Sequence, residues 1–100
     1  MQFASHTKGA GGPSDWAEAD TIYGRVLGSG GASNPIVLNN AASVKLEVGD
    51  KAGAVTLARK ALELAPNDPM IMDTLGWSLV QADPKSSEGR ALIAKAVELA

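Results

Sequence analysis

The chain contains no cysteine, one histidine and few aromatic residues. The lack of cysteine excludes disulfide bonds, thiolate catalysis and cysteine-based zinc sites. The histidine, His6, has no second ligand beside it and no G-x-S-x-G element to act with, so it indicates neither a metal site nor a nucleophile. We therefore expect no enzymatic activity and no cofactor. Because aromatics make up only 4% of the residues, the core must be built mostly from Ala, Val, Leu and Ile.

Excess positive charge and long apolar runs are also missing. The formal net charge is −2, which gives no basic surface for a nucleic-acid backbone. No apolar run approaches the roughly 18 residues that would predict membrane insertion. The first residues, "MQFASHTKGAGGPS", do not resemble a signal peptide. We expect a soluble chain and favour a cytoplasmic location, with the periplasm as the alternative if the chain is a fragment.

Two similar signals for the start of a helix divide the chain. "SNP" and "NDP" each place a capping residue, Asn34 or Asp68, before a proline, which is favoured in the first helical turn. Together with breaks at Gly49-Asp50 and "ADPKS", they predict helices over about 35–48, 51–65, 69–82 and 86–99. An apolar face in "DWAEADTIYGRVL" predicts a further helix over 15–27.

The predicted helices form a repeat. Pro35 and Pro69 are 34 residues apart, and "KALELA" (60–65) is echoed by "KAVELA" (95–100). A period of this length is typical of helical repeats, and no segment alternates as a strand would. The sequence therefore predicts an all-α protein with a flexible tail (1–14), a half repeat (15–34) and two full repeats (35–68 and 69–100).

The repeats resemble the tetratricopeptide repeat. In the first repeat the matching positions are Leu38, Ala41, Ala42, Gly49, Asp50, Ala54, Ala58, Ala61, Leu62 and Pro66. In the second they are Met72, Leu75, Gly76, Leu79, Gly89, Ala96 and Val97. Lys45 departs from the family pattern, which usually has an aromatic there, and Gly89 stands where Ala is usual. The resemblance implies a right-handed α-solenoid of antiparallel helix pairs, with about two and a half repeats and five helices.

The resemblance also implies a concave groove lined by the first helix of each repeat. Carried over to this chain, the groove residues are Asn39, Ser43, Met70, Asp73 and Trp77. Trp77 either anchors a partner or packs on the tail or the N-terminal helix. Asn39 either binds a peptide backbone or is solvated, and Met70 either contacts a partner or packs internally. Because these positions carry no Lys or Arg, the two-carboxylate clamp of one subclass is not supported.

Gly76 stands inside a predicted helix, where glycine costs about 1 kcal/mol relative to alanine. We expect it to lie where the two helices of a repeat cross, since a missing side chain lets the backbones approach closely. Ala42 holds the equivalent place in the first repeat.

The last helix has no following helix to cover it in this chain. We expect Leu92, Ile93 and Val97 to be partly exposed there and to form a self-association surface, unless the chain is a fragment of a longer array. The predicted function is a non-catalytic module that binds a protein or peptide in the groove. The alternative is a homodimerisation module with no peptide ligand. The "MDTLGW" element is similar to repeats of bacterial scaffold and secretion-associated proteins.

Overall fold

A computed structural model of the chain describes residues 13–100. This part of the chain is all-helical and contains no strand. It consists of α1 (Pro13–Gly28), a 3-10 turn (Gly31–Ser33), α2 (Pro35–Glu47), α3 (Lys51–Leu64), α4 (Pro69–Ala82) and α5 (Ser87–Leu99). The predicted all-α class is confirmed for the described residues.

The starts of α2 and α4 are fixed by the same local interaction. Asn34 Oδ1 accepts a hydrogen bond from the backbone N–H of Ile36 at 2.9 Å, and Asp68 Oδ1 accepts one from Met70 at 2.9 Å. Each cap is followed by proline, whose missing N–H leaves no donor unsatisfied in the first turn. Both helices therefore begin where the sequence predicts.

The starts of α3 and α5 are each capped by a side chain that accepts a hydrogen bond from the backbone N–H three residues later. Asp50 Oδ1 accepts from the backbone N–H of Gly53 at 2.9 Å, and Ser86 Oγ accepts from that of Gly89 at 3.0 Å. Gly49, which precedes the first of these caps, has a φ of +90°, a conformation that glycine adopts without the steric cost of a Cβ. Gly49 and Asp50, which lie in the turn between α2 and α3, therefore stabilise its conformation by local interactions.

The first helix is longer than predicted. It begins at Pro13, two residues before the expected start, so Pro13 and Ser14 are helical rather than part of the tail. The rest of the predicted tail, including His6, lies outside the described residues.

The core consists mainly of small and aliphatic side chains from α2, α3 and α4, and Ala96 of α5 is buried as well. One cluster contains Leu38, Ala61 and Ile71, and the other contains Ala42, Ala58 and Leu75. No aromatic side chain is buried among residues 16–100, in line with the low aromatic content. Alanine at the helix contacts lets the backbones approach closely, as dense interior packing requires.

Each helix packs on the next one in the sequence, and α2 additionally contacts α4 across α3. Leu38 and Ile71 share one cluster, and each lies within the first four residues of its helix. The N-terminal turns of α2 and α4 therefore lie side by side. This adjacency is what places the candidate site on two helices rather than one.

Gly76 of α4 and Gly89 of α5 face each other where these helices pack. A Cβ added to Gly76 would lie 2.7 Å from the carbonyl oxygen of Gly89, and a Cβ added to Gly89 would lie 2.8 Å from that of Gly76. Both residues are buried. The predicted close crossing at Gly76 is confirmed, and it depends on a second glycine that supplies the matching space.

Candidate functional site

Three large apolar side chains on α2 and α4 are exposed. Ile36 is 66% exposed, Met70 is 68% exposed and Trp77 is 51% exposed. Ile36 and Met70 hold equivalent places, each two residues after the capping side chain of its helix. Because the first turns of α2 and α4 adjoin, we group these three exposed side chains together and call them the apolar face.

The apolar face includes an acidic group, Asp73. Asp73 is exposed and lies four residues before Trp77, so both side chains are on the same side of α4. The carboxylate of Asp73 makes no hydrogen bond or ion pair with any residue of 16–100. Met70, Asp73 and Trp77, three of the residues predicted to line a groove, are thus exposed on α4.

The two polar residues predicted on α2 lie deeper. Asn39 is only 5% exposed, and its Oδ1 is buried without a hydrogen-bond partner in the described part of the chain. Ser43 is half-buried, and its hydroxyl donates to the carbonyl oxygen of Asn39 at 3.2 Å. Asn39 is therefore not solvated, and the hydroxyl of Ser43 has a partner within its own helix.

The residues predicted for self-association differ in exposure: Leu92 and Ile93 are half-buried, and Val97 is exposed. Leu92 packs against the cluster of Ala42, Ala58 and Leu75, and Ile93 Cγ1 lies 2.8 Å from the place of a Cβ on Gly76. Val97, in contrast, is 71% exposed. Leu92 and Ile93 therefore pack within the chain with part of their surface exposed, and Val97 and Leu99 are exposed apolar groups on α5.

A cleft between α1, α2 and α3 was not predicted from the sequence. It has a volume of about 330 Å³ and is lined by Asp20, Tyr23, Leu27, Lys45 and Leu57, among others. Lys45 Nζ lies 2.9 Å from Asp20 Oδ1 and 3.8 Å from Asp50 Oδ2. The hydrogen bond with Asp20 raises the pKa of Lys45 above its ordinary value. The signal in the sequence was Lys45 itself, a charged residue between Val44 and Leu46 in α2.

Residues 13–100 contain no group of three or more His, Asp or Glu side chains arranged to hold a metal ion. In the same part of the chain, no helix combines the length and apolar character needed to cross a bilayer.

No protein-family model matches the chain, and no curated protein matches its sequence. Its function must therefore be argued from the geometry of its own residues.

Proposed function

We propose that this chain is a non-catalytic protein-interaction module that binds a peptide or a partner helix along its apolar face. The exposure of Ile36, Met70 and Trp77 on two adjoining helices carries the proposal. Contiguous exposed apolar groups on a small protein are typical of interaction surfaces, and tryptophan is enriched at the residues that dominate binding energy.

In this proposal the helices form a right-handed solenoid of tetratricopeptide-like repeats. Two observations support it: the matching caps of α2 and α4 lie 34 residues apart, and α2 contacts α4 directly. The small residues support it as well. Ala42 and Ala54 are buried in the first repeat, and Gly76 and Gly89 are buried at the equivalent positions of the second. Antiparallel helix pairs then leave the first helix of each repeat on one concave side.

The test is to select binders from a library of random short peptides on the full chain and to map the best one by NMR. Amide signals of α2 and α4 around Ile36, Met70 and Trp77 should shift on peptide addition. A Trp77→Ala variant should weaken binding at least about tenfold, the loss typical of a central anchor. The matched control is Ile22→Ala, because Ile22 is equally exposed, at 52%, but lies on α1.

Peptides that bind with equal affinity to Trp77→Ala and wild type, or whose shifts map to other helices, would overturn the proposal. A selection that yields no binder at all would do the same. Thermal unfolding of each variant shows whether a change in affinity follows from loss of fold.

Self-association through α5 is the second candidate function, and the exposure of Val97 favours it. Light scattering after size exclusion at several concentrations tests it. A dimer that Val97→Glu converts to a monomer, while Leu64→Glu on α3 leaves it intact, would support this function. A monomer at every concentration would reject it.

A further inference from the structure

We infer that the partner of the apolar face presents a lysine or arginine side chain to Asp73 and Trp77, with an apolar residue beside it against Met70 and Ile36. This inference rests on the proposed function and specifies the chemistry of the partner.

The geometry of α4 places Asp73 and Trp77 beside each other. Residues four apart on a helix have Cβ atoms about 5–6 Å from each other, so the carboxylate of Asp73 and the indole of Trp77 are neighbours. Both are exposed, so a side chain from outside can contact both at once. Met70 lies three residues before Asp73 on the same side and extends this surface toward Ile36.

Within residues 16–100, no side chain forms an ion pair with Asp73 that would neutralise its charge. Asp73 is the only charged residue of α4. Helix α2 carries one cation, Lys45, and one further acid, Glu47. Lys45 is directed to Asp20 and Asp50, on the side of α2 that meets α1 and α3. The exposed acid is therefore left for a cation of the partner, and an acidic partner would be repelled.

A basic side chain can interact with both the carboxylate of Asp73 and the indole of Trp77. The ammonium or guanidinium group interacts favourably with a carboxylate, and also with an indole face within about 6 Å of the ring centre. The methylene stem of lysine or arginine covers apolar surface while its charged end stays in water. An uncharged apolar partner would satisfy Trp77 and Met70 but would leave Asp73 without an ionic partner.

Peptide selection on three proteins tests the inference: wild type, Asp73→Asn and Glu98→Gln. Glu98 is an exposed acid on α5, so its variant makes the same change in net charge away from the site. Peptides selected on wild type and on Glu98→Gln should be enriched in lysine or arginine close to an aliphatic or aromatic residue. Peptides selected on Asp73→Asn should lose this enrichment.

A double-mutant cycle then measures the contact directly. Replacing the basic residue of a selected peptide with glutamine should weaken binding to wild type about threefold to tenfold, and added salt should reduce the difference. The same replacement should change binding to Asp73→Asn by less than about twofold.

Neutral or acidic peptides that shift the amides around Ile36, Met70 and Trp77 would overturn the inference and leave the proposed function standing. An equal loss on wild type and on Asp73→Asn would also overturn it. Failure to select any peptide for this face would reject the proposed function itself, and with it the inference.

Discussion

Lys45 Nζ and Asp20 Oδ1 lie 2.9 Å apart and join α2 to α1 by an ion pair between residues far apart in the sequence. Their side chains are 28% and 30% exposed, so water screens the pair only in part. Here an electrostatic contact holds α1 beside an open cleft.

Replacing Lys45 with methionine should lower the free energy of unfolding by about 1 kcal/mol at low salt, since Asp20 loses its partner. The loss should shrink in concentrated sodium chloride, because ions screen the interaction in the wild type. Urea unfolding at two salt concentrations measures both effects. Lys60→Met, which changes an exposed lysine on α3 that forms no ion pair within residues 16–100, is the control. Equal stability of Lys45→Met and wild type at low salt would contradict this account.

The ion pair of Arg59 and Glu88 should make the stability of the protein weakly dependent on pH in the acid range. Arg59 Nη1 and Glu88 Oε2 lie 2.9 Å apart, and this hydrogen bond lowers the pKa of Glu88 below 4.5. A carboxyl whose pKa is lower in the folded state contributes stability above its unfolded value and loses it as the pH falls through the folded value. Because both side chains are about half exposed, the contribution should be no more than about 1 kcal/mol.

Urea unfolding of wild type and Glu88→Gln should therefore give the larger difference in stability at neutral pH. The two proteins should converge as the pH falls below 4.5, the ordinary value of the Glu88 pKa. In an Arg59→Gln background, which removes the partner, the same comparison should show little pH dependence. A wild-type advantage that persists unchanged at acid pH would show that the pair contributes through something other than charge.

Gly76→Ala should destabilise the protein by about 1–2 kcal/mol, since the new methyl group must push α4 and α5 apart and the gain in helix propensity offsets only part of that cost. Gly24→Ala on α1 should instead stabilise it by about 0.5–1 kcal/mol, because a Cβ there meets no atom within 4 Å. Chemical unfolding of the two variants compares the same substitution in opposite surroundings. A stabilised Gly76→Ala would mean that the helices separate at no cost.

Asn39→Leu should leave stability unchanged or raise it. The buried Oδ1 has no hydrogen-bond partner within residues 16–100, and a buried unsatisfied acceptor costs about 1–3 kcal/mol. Leucine has a similarly branched side chain without a polar atom, so the substitution removes that cost. Thermal and urea unfolding measure the change. A loss above about 2 kcal/mol would show that the amide is hydrogen-bonded in solution.

Helix starts could be predicted from the sequence because they depend on neighbours within three residues. Asn34 and Asp68 cap through the backbone N–H groups that directly follow them, so the residue types alone carry the information. The close crossing at Gly76 was predicted because a glycine inside a helix has a cost that packing must offset. Its pairing with Gly89 depends on how two helices meet.

The features that were missed depend on contacts between distant segments. The link between Asp20 and Lys45 spans α1 and α2, and nothing within either helix specifies it. Asn39 was placed in the groove, and its burial follows from the way α2 packs against its neighbours. Leu92 and Ile93 were expected to be partly exposed like Val97, and they are half-buried; the greater exposure of Val97 depends on how α5 meets α4 and α3.

The packing of each helix mainly on its neighbours in sequence has a consequence for unfolding. In such an arrangement, stability is close to a sum of terms between adjacent elements, and within residues 13–100 α1 packs mainly on α2 and α5 mainly on α4. Backbone amides of α1 and α5 should therefore exchange their hydrogens with solvent first, through partial opening. Those of α2, α3 and α4 should exchange only on global unfolding. The apolar face lies on α2 and α4, so it stays intact while the ends open, and a bound peptide would protect the centre of the molecule most.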